Sequence, residues 1–478
     1  MTDVRKKFDL NLALKIFFII VVAGFGVYVL LAVIFACVAP HLLNGITATT
    51  LFSDFAETLS YALCPNPYNG DYGFHSIYPP LSFLIFYPFT WFCQGALNEY
   101  SAGNITLAEL SANAGFIVSF LLYYIINLAI IMFVVAKFTK LKGKNLFYLL
   151  SIIFCFGPLL FEFVRANNTL TVCTFTLLFF FFNSRNKIWM REVSYVFLAG
   201  AICMKIYPIF IMFYILWRGE KWEKLWGVLK VLAYTLVVVF VPFLFIEGGF
   251  SNIPILLSNV TGFSSGGATT WGSNVSFDTI VYYLCLALST IFGGADMSIL
   301  HTILSTLLRY GLVVLAFVLP LISFKSKKYK EFVTLAVGTY LLFPGVCNGY
   351  CLTVMIIPFI IMLLDWNNMK FWEKIFYTVC YGLIICPIFY TYGFFLTSAI
   401  AVAVIVIKSV VDIIRDDVRI FKNRKNQDTS EKIVDMLKQW NERENSVNFK
   451  MTNKVKNFFN LKKFFIIESK KFNIIRLN

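Results

Sequence analysis

Long apolar runs are the feature of this chain that most restricts its fold. Stretches such as 115–135 and 228–246 are close to the roughly 20 residues that a helix needs to cross the bilayer core. Charged residues make up only 14% of the chain and hydrophobic residues 59%, whereas soluble proteins are roughly 25% charged. A membrane β-barrel would instead show short segments of alternating polarity. The pattern therefore predicts an all-α polytopic membrane protein.

The distribution of basic residues predicts the orientation of the helices. Loops rich in lysine and arginine are expected in the cytoplasm, whereas 40–77, 94–112 and 248–277 carry few and are expected outside. The first apolar run is too long for a signal peptide, so we expect it to be retained as a span. Ten crossings with both termini in the cytoplasm follow. They are expected at 16–39, 113–136, 145–163, 168–183, 228–246, 300–323, 331–344, 350–364, 372–390 and 393–412.

Three other apolar stretches are too interrupted or too short for single crossings. They are 78–93, which Pro79-Pro80 opens and Pro88 breaks; 194–217, with Lys205 and Pro208 at its middle; and 277–292. We expect the second to be a hairpin of two half-helices and the third to lie on the outer surface. Broken helices at membrane depth are tolerated where they line a cavity or are buried in protein. Together these stretches predict a cavity that opens to the outer face.

The chain divides by composition into a membrane domain, 1–414, and a basic cytoplasmic tail, 415–478. Positive loops and attraction to anionic lipid headgroups explain the net charge of +15, so nucleic-acid binding is not expected. The end of the tail, with phenylalanines among lysines, fits an amphipathic helix on the inner leaflet or a disordered basic segment. The eleven cysteines are scattered and are expected to fill gaps in helix packing.

An acidic segment of the first outer loop is the leading candidate for chemistry. Asp54 lies there with Glu57 one helical turn further on, and Asp71 and His75 follow in the same loop. A carboxylate beside a proline-broken helix suits a general base. Ser53-Asp54 would equally suit the cap of a helix that starts at Phe55. Two acids on one helix face can also bind a metal or orient one another.

Two basic residues are predicted at membrane depth. Arg165 ends a predicted span and Lys205 lies inside an apolar stretch. A buried cation costs roughly 2.5 kcal/mol or more at the bilayer centre, so each is a functional candidate. An anionic lipid phosphate is the natural ligand. The alternative is a lysine that snorkels to the interface or pairs with a structural acid.

The outer loop 261–274 combines glycines, hydroxyl groups and Trp271 and carries no charge. Sugars are bound by hydrogen bonds from such polar groups together with an aromatic face, although a flexible linker has the same composition.

Several short motifs follow one another along the chain in a recognisable order. They are Asp54-Phe55, Tyr78-Pro79-Pro80-Leu81, Ala166-Asn167-Asn168-Thr169-Leu170, Lys205-Ile206-Tyr207-Pro208, Asn274-Val275-Ser276-Phe277 and, more loosely, Phe343-Pro344-Gly345 through Tyr350 to Pro358. In this order the chain resembles the GT-C membrane glycosyltransferases over residues 10–410. It looks closest to glycosyltransferase family 87, whose members use polyprenol-phosphate mannose. The resemblance implies a bundle of about 10–12 transmembrane helices with broken or re-entrant helices.

The resemblance also implies residue roles. Asp54 would be the catalytic base, supported by Glu57, Asp71 and His75, and Lys205 and Arg165 would bind the donor phosphate. Substrate contacts would come from Tyr78, Asn168, Tyr207, Trp271, Asn274, Ser276, Asn348 and Tyr350. Two departures stand out. Arg165-Ala166 replaces a usual Gly-Gln pair, and the segment 347–350 lacks a usual histidine, whose role would fall to His75 or be missing.

The predicted activity is transfer of mannose, or another hexose or pentose, from a polyprenyl-phosphate donor to a lipid-linked or cell-envelope glycan. It would take place on the outer face of the cell membrane, without a cofactor or a divalent metal. Two other classes stay open. A flippase of lipid-linked sugars would show inverted repeats and acids deep in the spans. A polysaccharide polymerase or ligase would carry arginines in its outer loops.

Overall fold

The computed structural model describes residues 8–38, 52–69, 76–185, 187–217, 221–265, 274–323, 328–390 and 395–446. Within these ranges the backbone is helical, with no strand beyond an isolated bridge between Asn274 and Asn348. The predicted all-α class is therefore confirmed. The α-helices are α1 (Leu10–Val38), α2 (Ser53–Leu63), α3 (Leu81–Thr90), α4 (Gln94–Ser101), α5 (Leu107–Ala112), α6 (Ala114–Thr139), α7 (Gly143–Phe154), α8 (Gly157–Arg165), α9 (Thr169–Asn183), α10 (Ile188–Met204), α11 (Met212–Trp217), α12 (Lys221–Phe240), α13 (Asn252–Ser265), α14 (Phe277–Ile291), α15 (Ser298–Ile322), α16 (Tyr329–Leu342), α17 (Ile356–Leu364), α18 (Phe371–Ile385) and α19 (Phe395–Ser446). Short 3-10 helices occupy Tyr207–Ile211, Val241–Phe245, Gly249–Ser251, Gly349–Met355, Trp366–Asn368 and Pro387–Tyr390.

Several helices are long and apolar enough to cross a membrane, so the chain is a multi-pass membrane protein. Five meet this test among the described residues: Leu10–Ile34, Ala114–Thr139, Leu225–Phe245, Ser298–Ile322 and Phe395–Asn423. Helices α7 and α8 form a sixth candidate, bent by 42° at the break between them. Shorter apolar helices lie at other predicted spans, and the number of ten crossings stays a prediction.

The interrupted stretches behave differently from one another. Helix α10 ends at Met204, and Lys205 is extended (φ −157°, ψ 127°) before the 3-10 helix that contains Pro208. The predicted break at Lys205 is therefore present. The predicted break at Pro88 is wrong, since α3 continues through Pro88 to Thr90. A proline distorts the turn around it, but α3 ends two residues later, so little helix remains to be disrupted.

Aromatic packing fixes the short helix that carries Asp54. Phe55 is fully buried, and its ring packs edge-on against Phe86 of α3 and Phe116 of α6, with centroid distances of 5.9 and 5.5 Å. Burying such a side chain contributes about 1.5–3 kcal/mol. The apolar face of α2 is thus held against α3 and α6, and the neighbouring Asp54 turns toward α8.

The described residues from Asp416 to Ser446 belong to a second unit of the chain. This unit is helical as far as Ser446. Residues 447–478 lie outside the described residues, and so do 40–51 and 70–75 of the first outer loop. The domain boundary at 414 and the amphipathic character of the tail stay predictions.

Candidate active site

Asp54 lies in the first turn of α2 and pairs with the end of α8. Its Oδ1 atom accepts a hydrogen bond from the Arg165 guanidinium at 2.5 Å, and its Oδ2 atom accepts one from Asn167 Nδ2 at 2.8 Å. The Asp54 side chain is 12% exposed. The Ser53 hydroxyl also donates to Oδ1, at 3.2 Å, so the acid is oriented by three donors but is still reachable from solvent.

Unusual backbone conformations accompany this contact. Only three described non-glycine residues have positive φ, and two of them, Phe52 (57°) and Ala166 (54°), lie within two residues of the ion pair. The amide of Phe52 also donates to the carbonyl of Val164 at 2.9 Å. The left-handed conformation costs an alanine roughly 1–2 kcal/mol, and such residues concentrate at functional sites. At Ala166 the turn ends α8 and leads the chain directly into Asn167.

Asn167 connects the acid to a buried cation. While its Nδ2 atom donates to Asp54, its Oδ1 atom accepts from Lys205 Nζ at 3.2 Å. The same oxygen accepts from the backbone and hydroxyl of Thr169, at 3.0 and 2.8 Å. Because Asn167 is only 2% exposed, its amide is held in a single orientation between the two charges.

Lys205 stands at the break after α10. Its ammonium donates to Thr169 Oγ1 at 2.8 Å and to Cys351 Sγ at 3.6 Å, and it lies 5.0 Å from the centroid of the Tyr350 ring. No described carboxylate lies within 4 Å of it. A buried ammonium that no carboxylate pairs with carries charge that an anion can balance. Such a group favours an anionic ligand.

A cavity of about 280 Å³ adjoins this ammonium. Its polar wall contains Tyr78, Lys205, Tyr207, Arg309, Asn348 and Tyr350, and the rest is formed by apolar residues such as Ile77, Ile206 and Val260. The Asn348 amide donates to the Tyr350 hydroxyl at 3.0 Å. Predominantly apolar walls with a few polar groups are typical of ligand pockets. The sequence prediction of a cavity beside the broken helices agrees with this arrangement.

Two predicted substrate residues bind the protein's own backbone. The Asn274 side chain donates to the carbonyl of Gly345 at 2.7 Å and accepts from the amide of Cys347 at 2.9 Å. The Ser276 hydroxyl donates to the same Gly345 carbonyl at 3.2 Å. Both side chains are fully buried. They hold the cavity wall at 345–348 in place, and a direct sugar contact stays a prediction for each.

A comparison with family models assigns the chain to a family. The model of glycosyltransferase family 87 matches residues 76–344, more than half of the chain. The chain belongs to glycosyltransferase family 87. No match was found among curated proteins or among solved structures. The matched range contains Lys205, Asn274 and Arg309, whereas Asp54 and Tyr350 lie outside it.

In this family 87 member, a second acid accompanies Asp54. Glu57 lies one turn further along α2 and is half-buried. Burial and the adjacent Asp54 carboxylate raise the pKa of Glu57 to about 7, and the Arg165 charge opposes this. Glu57 therefore changes its charge near neutral pH. Asp71, His75 and Trp271 lie outside the described residues, so their predicted roles are untested.

The neighbouring Asn168 has a different task from Asn167. Its Nδ2 atom donates to the carbonyl of Met204 at 3.1 Å, at the end of α10. Its buried Oδ1 atom has no hydrogen-bond partner among the described residues. Asn168 therefore supports the break that presents Lys205, and its predicted substrate contact is untested.

Sequence reasoning missed four residues that the structure places at the site: Asn167, Thr169, Arg309 and Cys351. Asn167 and Thr169 stood inside a named motif without a role. Arg309 lies near the middle of a predicted span, so the argument applied to Lys205 would have found it. No comparable sequence signal marks Cys351, because its neighbour Lys205 is 146 positions away.

Proposed function

We propose that this glycosyltransferase takes its sugar from a polyprenyl-phosphate donor and acts on the outer face of the cell membrane. The observation that carries the proposal is the ammonium of Lys205, which lies at a cavity without a described carboxylate and is joined through Asn167 to Asp54. A lipid-linked or cell-envelope glycan would be the acceptor. Both termini would lie in the cytoplasm.

The cavity suits the donor's phosphate and its lipid. The Lys205 ammonium would bind the phosphate and neutralise the negative charge that builds on it as it leaves. Apolar side chains, among them Ile206, which is 43% exposed, would face the polyprenyl chain. Because a fixed cation can carry this charge, we expect transfer without a divalent metal. The resemblance favours mannose as the sugar, with another hexose or a pentose as the alternative.

Asp54 would act as the general base. The acceptor hydroxyl attacks the anomeric carbon, its proton passes to Asp54, and the bond from that carbon to the phosphate oxygen breaks with the electron pair leaving on the phosphate. Among the described residues Asp54 Oδ2 accepts from Asn167 alone, so this oxygen retains lone-pair capacity for the proton. Base catalysis of this kind contributes about 10²–10⁴ in rate. Arg165 could also bind the phosphate, as predicted, but it would first have to leave Asp54.

Transfer assays with different donor classes test the proposal. Membranes containing the full chain would be given labelled sugars as polyprenyl monophosphates, polyprenyl diphosphates or nucleotide sugars, with membranes lacking the protein as control. We expect label in glycolipid or glycan from the monophosphate donors alone, also in the presence of EDTA. Transfer from nucleotide sugars but not from lipid donors would contradict the proposal.

A further inference from the structure

The cavity has a second basic residue that the mechanism above does not use. Arg309 lies near the middle of α15 and is the one Asp, Glu, Lys or Arg residue in that 25-residue helix. Helix α15 is among the helices long and apolar enough to span the membrane. A charged residue at such a position is costly and marks a functional site by default.

The Arg309 side chain is held by one bond that leaves most of its donors available. Its Nε atom donates to the carbonyl of Phe343 at 2.6 Å, and its guanidinium lies 5.4 Å from the Phe343 ring centroid. Phe343 caps the end of α16, where carbonyl groups lack helical partners. The bond through Nε fixes the plane of the guanidinium. Among the described residues no carboxylate pairs with Arg309 and no acceptor takes a hydrogen bond from its terminal nitrogens.

Gly345 keeps those terminal nitrogens open to the cavity. A Cβ atom at Gly345 would lie 3.7 and 3.9 Å from the two Nη atoms of Arg309. Any longer side chain there would therefore stand beside the guanidinium. Asn274 and Ser276 hold the Gly345 carbonyl, so this opening is fixed by the same contacts that support the cavity wall.

We propose that Arg309 is a second anion-binding residue of the cavity, which together with Lys205 receives the phosphate of the polyprenyl donor. This inference rests on the proposed function and deepens it. A guanidinium presents parallel N–H groups that match two phosphate oxygens, whereas an ammonium acts as a point charge. Lys205 and Arg309 lie on segments far apart in the sequence but line the same cavity. Because Arg165 is bound to Asp54, Lys205 and Arg309 would bind the phosphate together, and Arg165 would orient the base.

Binding of polyprenyl phosphate to the purified full chain in nanodiscs tests the assignment separately from catalysis. Polyprenol of the same length serves as the uncharged ligand. Arg309→Gln removes the charge and keeps a donor for the Phe343 carbonyl, and Arg309→Lys keeps the charge. Arg415→Gln is the matched control, since the Arg415 side chain is 78% exposed.

We expect Arg309→Gln to weaken polyprenyl-phosphate binding at least about tenfold, the effect of one charge-assisted hydrogen bond. Arg309→Lys should lose less, Arg415→Gln should bind as the wild type does, and polyprenol binding should be the same in all four proteins. In transfer assays the donor KM of Arg309→Gln should rise by a larger factor than kcat falls.

Two results would overturn the assignment while the proposed function stands. One is unchanged phosphate binding in Arg309→Gln when the wild type transfers sugar from polyprenyl phosphate. The other is an equal loss of phosphate and polyprenol binding in both Arg309 variants, which would show a structural role. A wild type that binds polyprenyl phosphate no better than polyprenol would overturn both this inference and the proposed donor class.

Discussion

The bridge that Asn167 forms between Asp54 and Lys205 yields the sharpest prediction. Leucine is close to asparagine in shape but cannot form hydrogen bonds, so Asn167→Leu removes the bond to Asp54 at 2.8 Å and the bond from Lys205 at 3.2 Å. Each bond involves a charged group, and such bonds contribute about 1.5–3 kcal/mol. If the loss of the bond to Asp54 raises the activation free energy of transfer by this amount, kcat falls about 10- to 150-fold.

Asn183→Leu is the matched control for this substitution. Asn183 is also buried, lies at the other end of α9 and donates to Ser194 at 3.2 Å. Both variants should lose stability, because each removes hydrogen bonds between buried polar groups. Only Asn167→Leu should lose transfer activity.

The assay measures initial rates of sugar transfer from a saturating polyprenyl-phosphate donor, normalised to folded protein by size-exclusion chromatography. Asn167→Leu with more than half of the wild-type kcat would refute the reasoning. An equal loss of activity in Asn183→Leu would do the same, since it would show that any weakening of α9 suffices.

Three further predictions concern the surroundings of the site. The pKa of Glu57 is about 7 in the folded chain and about 4.5 in the unfolded chain, so the free energy of unfolding should fall as pH rises between these values. Glu57→Gln should abolish this part of the decline in melting temperature. A pH profile identical to that of the wild type would contradict the prediction. Ala166 has positive φ, so Ala166→Gly should match or exceed the wild-type melting temperature. Ala166→Val should lower the free energy of unfolding by at least about 1 kcal/mol. A valine variant as stable as the glycine variant would argue against the strained turn. A Cβ at Gly349 would lie 2.3 Å from the Phe395 ring, so Gly349→Ala should cost about 1–3 kcal/mol in thermal unfolding, and an unchanged melting temperature would exclude this close packing.

The sequence predicts the helical class and the break at Lys205 because both depend on local properties. Hydrophobic runs of membrane length read directly as helices. A lysine followed three residues later by a proline inside an apolar run predicts an interruption, as the extended Lys205 confirms. The same local argument failed at Pro88, because the position of a proline relative to the helix end decides what it disrupts, and that end depends on packing.

The connections within the site depend on contacts that no local pattern reveals. Asp54 and Arg165 are 111 positions apart, and their pairing requires two non-glycine residues with positive φ. Because alanine rarely adopts that conformation, nothing in the sequence predicts the turn at Ala166. This turn decides that Asn167 contacts the acid, whereas Asn168, predicted as a substrate contact, donates to the end of α10.

The most direct test of the account is the rate of sugar transfer by Asp54→Asn. The variant and the wild type would be compared at matched folded protein, with the donor class that the wild type uses and with polyprenyl-phosphate binding measured in parallel. We expect a loss of at least about 100-fold in kcat, the lower part of the range for general-base catalysis, with phosphate binding retained. Transfer at the wild-type rate by Asp54→Asn would contradict the assignment of Asp54 as the base.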